Sequence, residues 1–401
     1  MCGKMINFAP VKKIITAVLV LLLDVNYVVA GAAETVDSAR VEALPRMEIS
    51  LLTCGPFNNA YSLYGHTAIR FRDYSTGGDW VFNYGVFDFD TPFFVLRFGL
   101  GKTDYQLGVE PFARFERKYS RMGCRVNEQV LNLSEREQER LIADLNVNYL
   151  PENRVYRYNF YRTNCTTKAR DMIEACVRGT ITYDSTAYKV QTLREALHDY
   201  TAGHPWAEFG DDISLGAGAD VAMTFREHQF LPERLMADFD RAVIIRDGVA
   251  EPLVKENRQV LRQRRGREDS LPRPTVWFGA LTVLSVIIAA IEMRRGTVFK
   301  AWDIILMAVT GIAGCVLLLL FCSEHPTTST NLQILLLNPL ALLFIPTVAR
   351  GSKLWWKVQS VFIILFLIGS LLQDYAEGMY LLALCLLIRV IMNLIKRREK
   401  R

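Results

Sequence analysis

The feature that most constrains this chain is a break in hydropathy near residue 274. Residues from about 33 to 270 mix charged, polar and apolar side chains as a soluble domain does, and from 274 onward apolar runs dominate. Five runs, at about 274–292, 302–322, 332–349, 354–372 and 378–395, approach the ~20 residues a helix needs to cross a bilayer. In a chain of 401 residues with 51% hydrophobic content, that distribution predicts an α+β globular domain followed by an all-α, five-helix membrane domain.

The charges between the runs set an orientation. "RRGTVFK", "RGSK" and the tail "KRREKR" are basic, whereas "SEHPTTSTN" and "QDYAEG" contain no Lys or Arg. Basic loops face the cytoplasm, so counting back through five spans puts the soluble domain outside. The N-terminus agrees: Lys12 and Lys13 precede "IITAVLVLLL", and Ala30 and Ala32 are spaced for signal peptidase. Residues 1–32 read as a signal peptide, or as an uncleaved anchor, and either one exports the soluble domain. The chain then divides into a periplasmic domain at 33–257, a basic juxtamembrane linker at 258–273 and the membrane domain at 274–401. The linker, "RQVLRQRRGREDSLPR", is basic on the outer side, where it either meets anionic headgroups or forms a solvated helix. The expected location is the inner membrane, multi-pass.

Within the exported part, "MEISLLTC" (47–54), "HTAIRFRD" (66–73), "DWVFNYGVF" (79–87), "DYQLGV" (104–109), "RVNEQVLNL" (125–133) and "RVYRYNF" (154–160) read as strands, several of them alternating. Ser134 and Glu137 form a capping box that opens a helix to about 149. Asn164, or Thr163 beside it, caps a second helix from Cys165 to about Val177. Cys165 therefore sits in a helix's first turn. There the free N–H groups and the helix dipole favour a thiolate, and the same donors suit an oxyanion. A bland reading remains open, because free cysteines are often simply buried.

A thiolate nucleophile needs a base, and the chain has five histidines. His66, after Gly65 at the start of a strand, is placed to project over a neighbouring helix terminus, and Asn83 in the next strand to hold its imidazole. His198, His204 and His228 lack HExxH or CxxC-type spacing, so no zinc site is expected, and neither a P-loop nor GxGxxG occurs. No cofactor and no nucleic-acid partner are expected; oligomeric state is left open. Tyr64, Tyr84 and Asn164 are secondary candidates for hydrogen bonding a reacting carbonyl. His325 and Asn331 stand at headgroup height in the outer loop, placed to orient substrate or simply to face water. Phe93, Phe94 and Leu96 form an apolar run that either packs in the core or dips toward lipid. Cys54, Cys124 and Cys176 share the oxidising compartment, so at most one disulfide forms among them, with Cys54–Cys124 the pairing considered; Cys176 packs within its helix face. Cys2 leaves with the signal, and Cys315, Cys322 and Cys385 face lipid or helix.

The runs "LLTCGPFNNAYSLYGHTAIRF", "WVFNYGVFDFDTPFFVLRFGLGKTDYQLG" and "YRYNFYRTNCTTKARDMI" resemble the periplasmic domain of the lipoprotein N-acyltransferases of Bacteroidota, and the resemblance extends through the membrane part. That family is similar to circularly permuted papain-like thiol enzymes such as lecithin:retinol acyltransferase, with the order His, Asn, Cys reversed relative to papain. The resemblance implies a permuted papain-like domain and transfer of an acyl chain from a membrane phospholipid to the N-terminal amine of a diacylated lipoprotein. It makes His66 the base and Cys165 the nucleophile; Asn83 carries over on position alone. Two rivals stand beside it. A cell-wall peptidase or amidase with the same Cys–His pair predicts an open polar groove and little need of spans. A non-enzymatic membrane sensor or scaffold predicts indifference to loss of the thiol.

Overall fold

The computed structural model describes residues 46–57, 62–88, 90–264 and 271–395. The expected signal at 1–32 with Cys2, the middle of the basic linker and the basic tail from 396 lie outside the described residues. Among the described residues the strands are β1 (Met47–Cys54), β2 (His66–Asp73), β3 (Gly78–Val86), β4 (Asp104–Pro111), β5 (Val126–Leu131), β6 (Val155–Arg157), β7 (Thr180–Thr182), β8 (Val243–Arg246), β9 (Val249–Pro252) and β10 (Val254–Leu261). Seven form one antiparallel sheet in the order β10-β5-β1-β2-β3-β4-β6, and β7-β8-β9 form a second.

Strand alternation builds two cores from the large sheet. Ile49, Leu51, Ile69, Phe82 and Tyr84 point to one face, and Leu52, Cys54, Ala68 and Val81 to the other. The helices of this half are α1 (Phe94–Gly99), α2 (Phe112–Met122), α3 (Glu135–Tyr149), α4 (Cys165–Cys176), α5 (Leu193–Thr201), α6 (Pro205–Ser214), α7 (Phe225–His228) and α8 (Pro232–Arg241). Leu141 and Leu145 of α3 with Ala169 and Ile173 of α4 cover the first face; Phe115 and Tyr119 of α2 cover the second. Being covered on both faces, β1 is buried along nearly its whole length. Helix α3 starts at the expected box, with Ser134 N–H donating to Glu137 Oε2 at 2.8 Å.

The sequence reading needs adjustment at three places. In "RVYRYNF" only Val155–Arg157 pairs as strand; Asn159 bridges Thr163 in a turn that leads into α4. Strand β10 runs to Leu261 and pairs with β5, so ordered sheet extends four residues into the segment read as linker from 258. Its exposed, charge-rich pattern hides an edge strand, whose outer side pairs with no other strand among the described residues.

The C-terminal part comprises α9 (Pro274–Arg295), α10 (Lys300–Leu320), α11 (Leu340–Ala349), α12 (Leu354–Gly369) and α13 (Met379–Ile395). Segments 274–295, 300–320 and 332–349 are long and apolar enough to cross a membrane, and α12 and α13 are shorter apolar helices. The third segment is the third adjustment: it is not a continuous helix. A 3-10 turn at Leu332–Leu335 precedes α11, and between them Pro339, which has no N–H, interrupts the helical ladder while Asn338 Oδ1 accepts from Leu340 N–H at 3.0 Å. Leu336 and Leu337 at the break are buried in protein, the setting in which such a break is tolerated at membrane depth.

Candidate active site

Local sequence places the thiol. Asn164 Oδ1 accepts the N–H groups of Thr166 and Thr167, both at 2.9 Å, while its amide nitrogen donates to Phe160 O and Phe230 O, again at 2.9 Å. All four hydrogen-bonding positions of the amide are therefore filled, and Asn164 fixes the start of α4 with none left for a substrate. Such a cap contributes ~1 kcal/mol. It leaves the N–H of Cys165 itself, the first residue of α4, as a donor with no partner inside the helix.

Strand geometry places the imidazole. Gly65, at φ +76°, turns the chain into β2; a Cβ there would lie 2.5 Å from Cys54 O. His66 opens the strand opposite Cys54, and its ring stacks on Tyr119 of α2, centroids 6.4 Å apart. Asn83 of β3 accepts from His66 Nε2–H at 2.6 Å, a pairing that leaves Nδ1 available to the Cys165 thiol on the same cavity wall. A register shift between Asn83 and Val86 puts Gly85, at φ +97°, beside both residues: a Cβ there would lie 3.6 Å from Cys165 Cβ and 3.6 Å from His66 Cε1. Those are ordinary contacts; it is the left-handed backbone of the bulge that calls for glycine there.

The electrostatics come from that packing. Burial raises the Cys165 thiol's pKa, but the His66 charge, its hydrogen bond and the Thr67 N–H outweigh burial and bring it down to about 7. Burial pulls His66 the other way, toward the neutral ring, and the Cys165 charge and the Asn83 hydrogen bond raise it above its ordinary value. Both shifts describe one thiolate–imidazolium pair.

This pair opens onto a cavity of about 470 Å³. Phe87, Phe94, Phe98, Tyr105, Tyr158, Phe160 and Phe230 give it an aromatic wall, Leu193, Leu197, Leu215 and Leu231 an aliphatic one, and His325 to Thr328 from the loop after α10 close its membrane side. Tyr105 and Tyr158 stack at 4.0 Å. Helix α1 joins the two halves, because Ser323 Oγ donates to Gly99 O at 2.7 Å and Glu324 N–H to Leu100 O at 2.9 Å. Phe94 and Phe98 line the cavity, while Phe93 at 78% and Val95 at 80% exposure stay outside it.

The remaining expected residues divide. Tyr64 lines the cavity and donates to Asp211 Oδ2; His325 lines it too, its ring 3.0 Å from Phe98 O and held neutral by burial. Tyr84 and Asn331 do not line it. Tyr84 is buried in the sheet core, its hydroxyl without a partner. Asn331 is 1% exposed and ties α6 to the membrane loop, donating to Ile213 O at 2.8 Å and accepting from Gln333 N–H at 3.1 Å. Cys54, Cys124 and Cys176 are buried free thiols, so the considered Cys54–Cys124 disulfide is absent. Among the described residues one group has ligand-type atoms within 4.8 Å of each other, His198, Glu208 and Asp212. Arg194 at 2.8 Å and His198 at 2.9 Å already occupy Asp212, which makes this a neutralised ion-pair cluster. Sequence reading misses Asp211 and the aromatic wall. The spacing of Tyr158 and Phe160 is a usable signal for the wall; Asp211, inside "EFGDDIS", offers none.

Two family models match the chain, the Lnb N-terminal periplasmic domain over residues 37–199 and the Lnb transmembrane domain over residues 266–401. No curated protein and no solved structure matches significantly.

Proposed function

Because this chain belongs to the Lnb family of lipoprotein-processing membrane proteins with a periplasmic portion, we propose that it is a thiol-dependent lipoprotein N-acyltransferase. In this reading it takes an acyl chain from a membrane phospholipid onto Cys165. It then passes the chain to the N-terminal amine of a diacylglyceryl-cysteine lipoprotein. The observation that carries the reading is the position of the Cys165–His66 pair on an apolar, largely aromatic cavity that the membrane half helps to close. A muropeptide-cutting enzyme needs an open polar groove; a lipid tail needs a cavity of this kind. The apolar helices are read as inner-membrane spans that hold the site at the outer face of the bilayer. The chain order of strand histidine, strand asparagine and helix cysteine supports a circularly permuted papain-like fold.

The chemistry proceeds in two halves. The Cys165 thiolate attacks the ester carbonyl of the phospholipid while the oxyanion takes the Cys165 N–H, and the protonated Nδ1 of His66 gives its proton to the departing lysolipid alkoxide. The resulting thioester reacts with an amine far more readily than the ester did. When the acceptor amine attacks, His66 takes a proton from nitrogen as the carbon–sulfur bond breaks, which restores the thiolate–imidazolium pair. Asn83 holds the ring in the required tautomer and orientation.

The test is mass spectrometry of a lipoprotein's N-terminal peptide from cells carrying wild-type protein or Cys165→Ala. The expected outcome is a triacylated peptide with wild type and a diacylated one with the variant. A triacylated peptide in both removes the thiol from the reaction and with it this function.

A further inference from the structure

Asp211 is the carboxylate among the residues lining the cavity, and neither half-reaction uses it. It lies on α6, which the membrane half pins: Gln333 Nε2 donates to Asp212 O at 2.9 Å and Asn331 Nδ2 to Ile213 O at 2.8 Å. Tyr64, whose ring packs against Phe160 at 5.1 Å and Tyr200 at 6.1 Å, donates its hydroxyl to Asp211 Oδ2. Tyr64 and Asp211 share the cavity wall with Cys165 and His66. Among the described residues no Lys or Arg pairs with Asp211, whereas its neighbour Asp212 is taken up by Arg194 and His198. A carboxylate held in an apolar cavity without a cation is costly, and its charge is best satisfied by a cation that arrives with a ligand.

Resting on the N-acyltransferase reading, we propose that Asp211, oriented by Tyr64, is the binding site and proton acceptor for the α-ammonium group of the incoming lipoprotein.

Proton balance asks for such a group. The acceptor enters as R–NH₃⁺ and leaves as the amide R–NH–CO–R′, so its nitrogen loses two protons. The nitrogen–carbon bond forms, the carbon–sulfur bond breaks with its electron pair going to sulfur, and His66 can take only one of those protons at Nδ1. Asp211 takes the other before attack, converting the ammonium to the nucleophilic amine, and afterwards releases it to water. Burial first, then the charges of Asp212 and Glu208, raise the carboxyl to about 6 against the opposing Tyr64 hydrogen bond and the charge of His198. At that value it is ionised at pH 7 and still basic enough to take a proton from an α-ammonium of pKa about 8.

The experiment uses full-length protein in detergent with a synthetic phosphatidylethanolamine donor and either a diacylated lipopeptide or hydroxylamine, which is uncharged at neutral pH, as acceptor. Asp211→Asn is expected to load Cys165 with the acyl chain, seen by intact-protein mass. It should discharge to hydroxylamine as wild type does and transfer to the lipopeptide at least ~tenfold more slowly at pH 7, with the deficit shrinking as pH rises through the amine's pKa. Tyr64→Phe, which keeps the carboxylate but loses its orienting bond, should show the same selective deficit at about threefold. Wild-type transfer to the lipopeptide by both variants, equal slowing toward both acceptors, or failure of both to load would overturn the assignment. If wild-type protein itself carries no acyl group on Cys165, it is the thioester reading that fails.

Discussion

The membrane half and the candidate active site both bury charge, and they do it in opposite ways. In the membrane half, Arg389, Glu292 and Asp303 are all 0% exposed. Arg389 donates to Asp303 Oδ1 at 2.6 Å and to both oxygens of Glu292 at 3.0 and 2.8 Å; Phe299 N–H and Asn393 supply further donors to the two carboxylates. The arrangement is closed, and it ties α9, α10 and α13 together. In the periplasmic half, the Cys165–His66 pair is held as firmly from behind, by Asn83, Thr67 and the Asn164 cap, but its front is an open cavity. A buried charge whose partners are complete is structure; one that lacks a partner on the cavity side is poised for chemistry.

That contrast can be broken or sharpened by substitution. The largest effect is expected in the closed cluster. Arg389→Met leaves two buried carboxylates uncompensated and should destabilise the membrane half by about 3–5 kcal/mol, read as a large fall in the midpoint of detergent-induced unfolding. An unchanged midpoint would mean that the cluster is not a clamp. Next comes the open pair. Iodoacetamide should alkylate Cys165 with a rate that rises through pH about 7, since the depressed pKa keeps the thiolate above that pH and protonation removes it below. In His66→Ala the main lowering influence is gone and only the Thr67 N–H and the helix start still oppose burial, so the midpoint moves up to the ordinary thiol value or beyond and the rate at pH 7 falls by roughly fiftyfold or more. A midpoint that stays near 7 would assign the thiolate to the helix terminus instead of the ring. The smallest effect separates a core group from the site. Tyr84→Phe removes a buried hydroxyl that has no partner, so stability should stay equal or rise by at most about 1 kcal/mol with acyl transfer intact. A loss of transfer in that variant would return Tyr84 to the reacting carbonyl.

Legibility tracks sequence distance. Strands β1 and β2 and helices α3 and α4 lie where alternation and capping residues predict, because period and caps are properties of neighbours in the chain. The pair His66 and Cys165 is readable from a strand start and a helix start. Residues 258–261 are deceptive because an edge strand with one uncovered row looks like a solvated helix. The third span reads as continuous because hydropathy averages over Pro339. Tyr84 and Asn331 are expected near the substrate only through nearness in sequence to His66, Asn83 and the headgroup loop. Tyr84 follows Asn83, and in a strand successive side chains face opposite sides, which sends it into the core.

The sequence alone determined the soluble and membrane halves, the cap that presents a thiol at a helix start, and the strand that ends in an imidazole. Each depends on free energies set within a few residues. Only the tertiary structure decided that a membrane-side loop, α1, α5, α6 and the strand ends enclose one apolar cavity, and that Asp211 sits on its wall with no Lys or Arg paired to it among the described residues. Those relations come from burying faces far apart in the chain against one another, and which faces meet is chosen by the packing of the whole molecule.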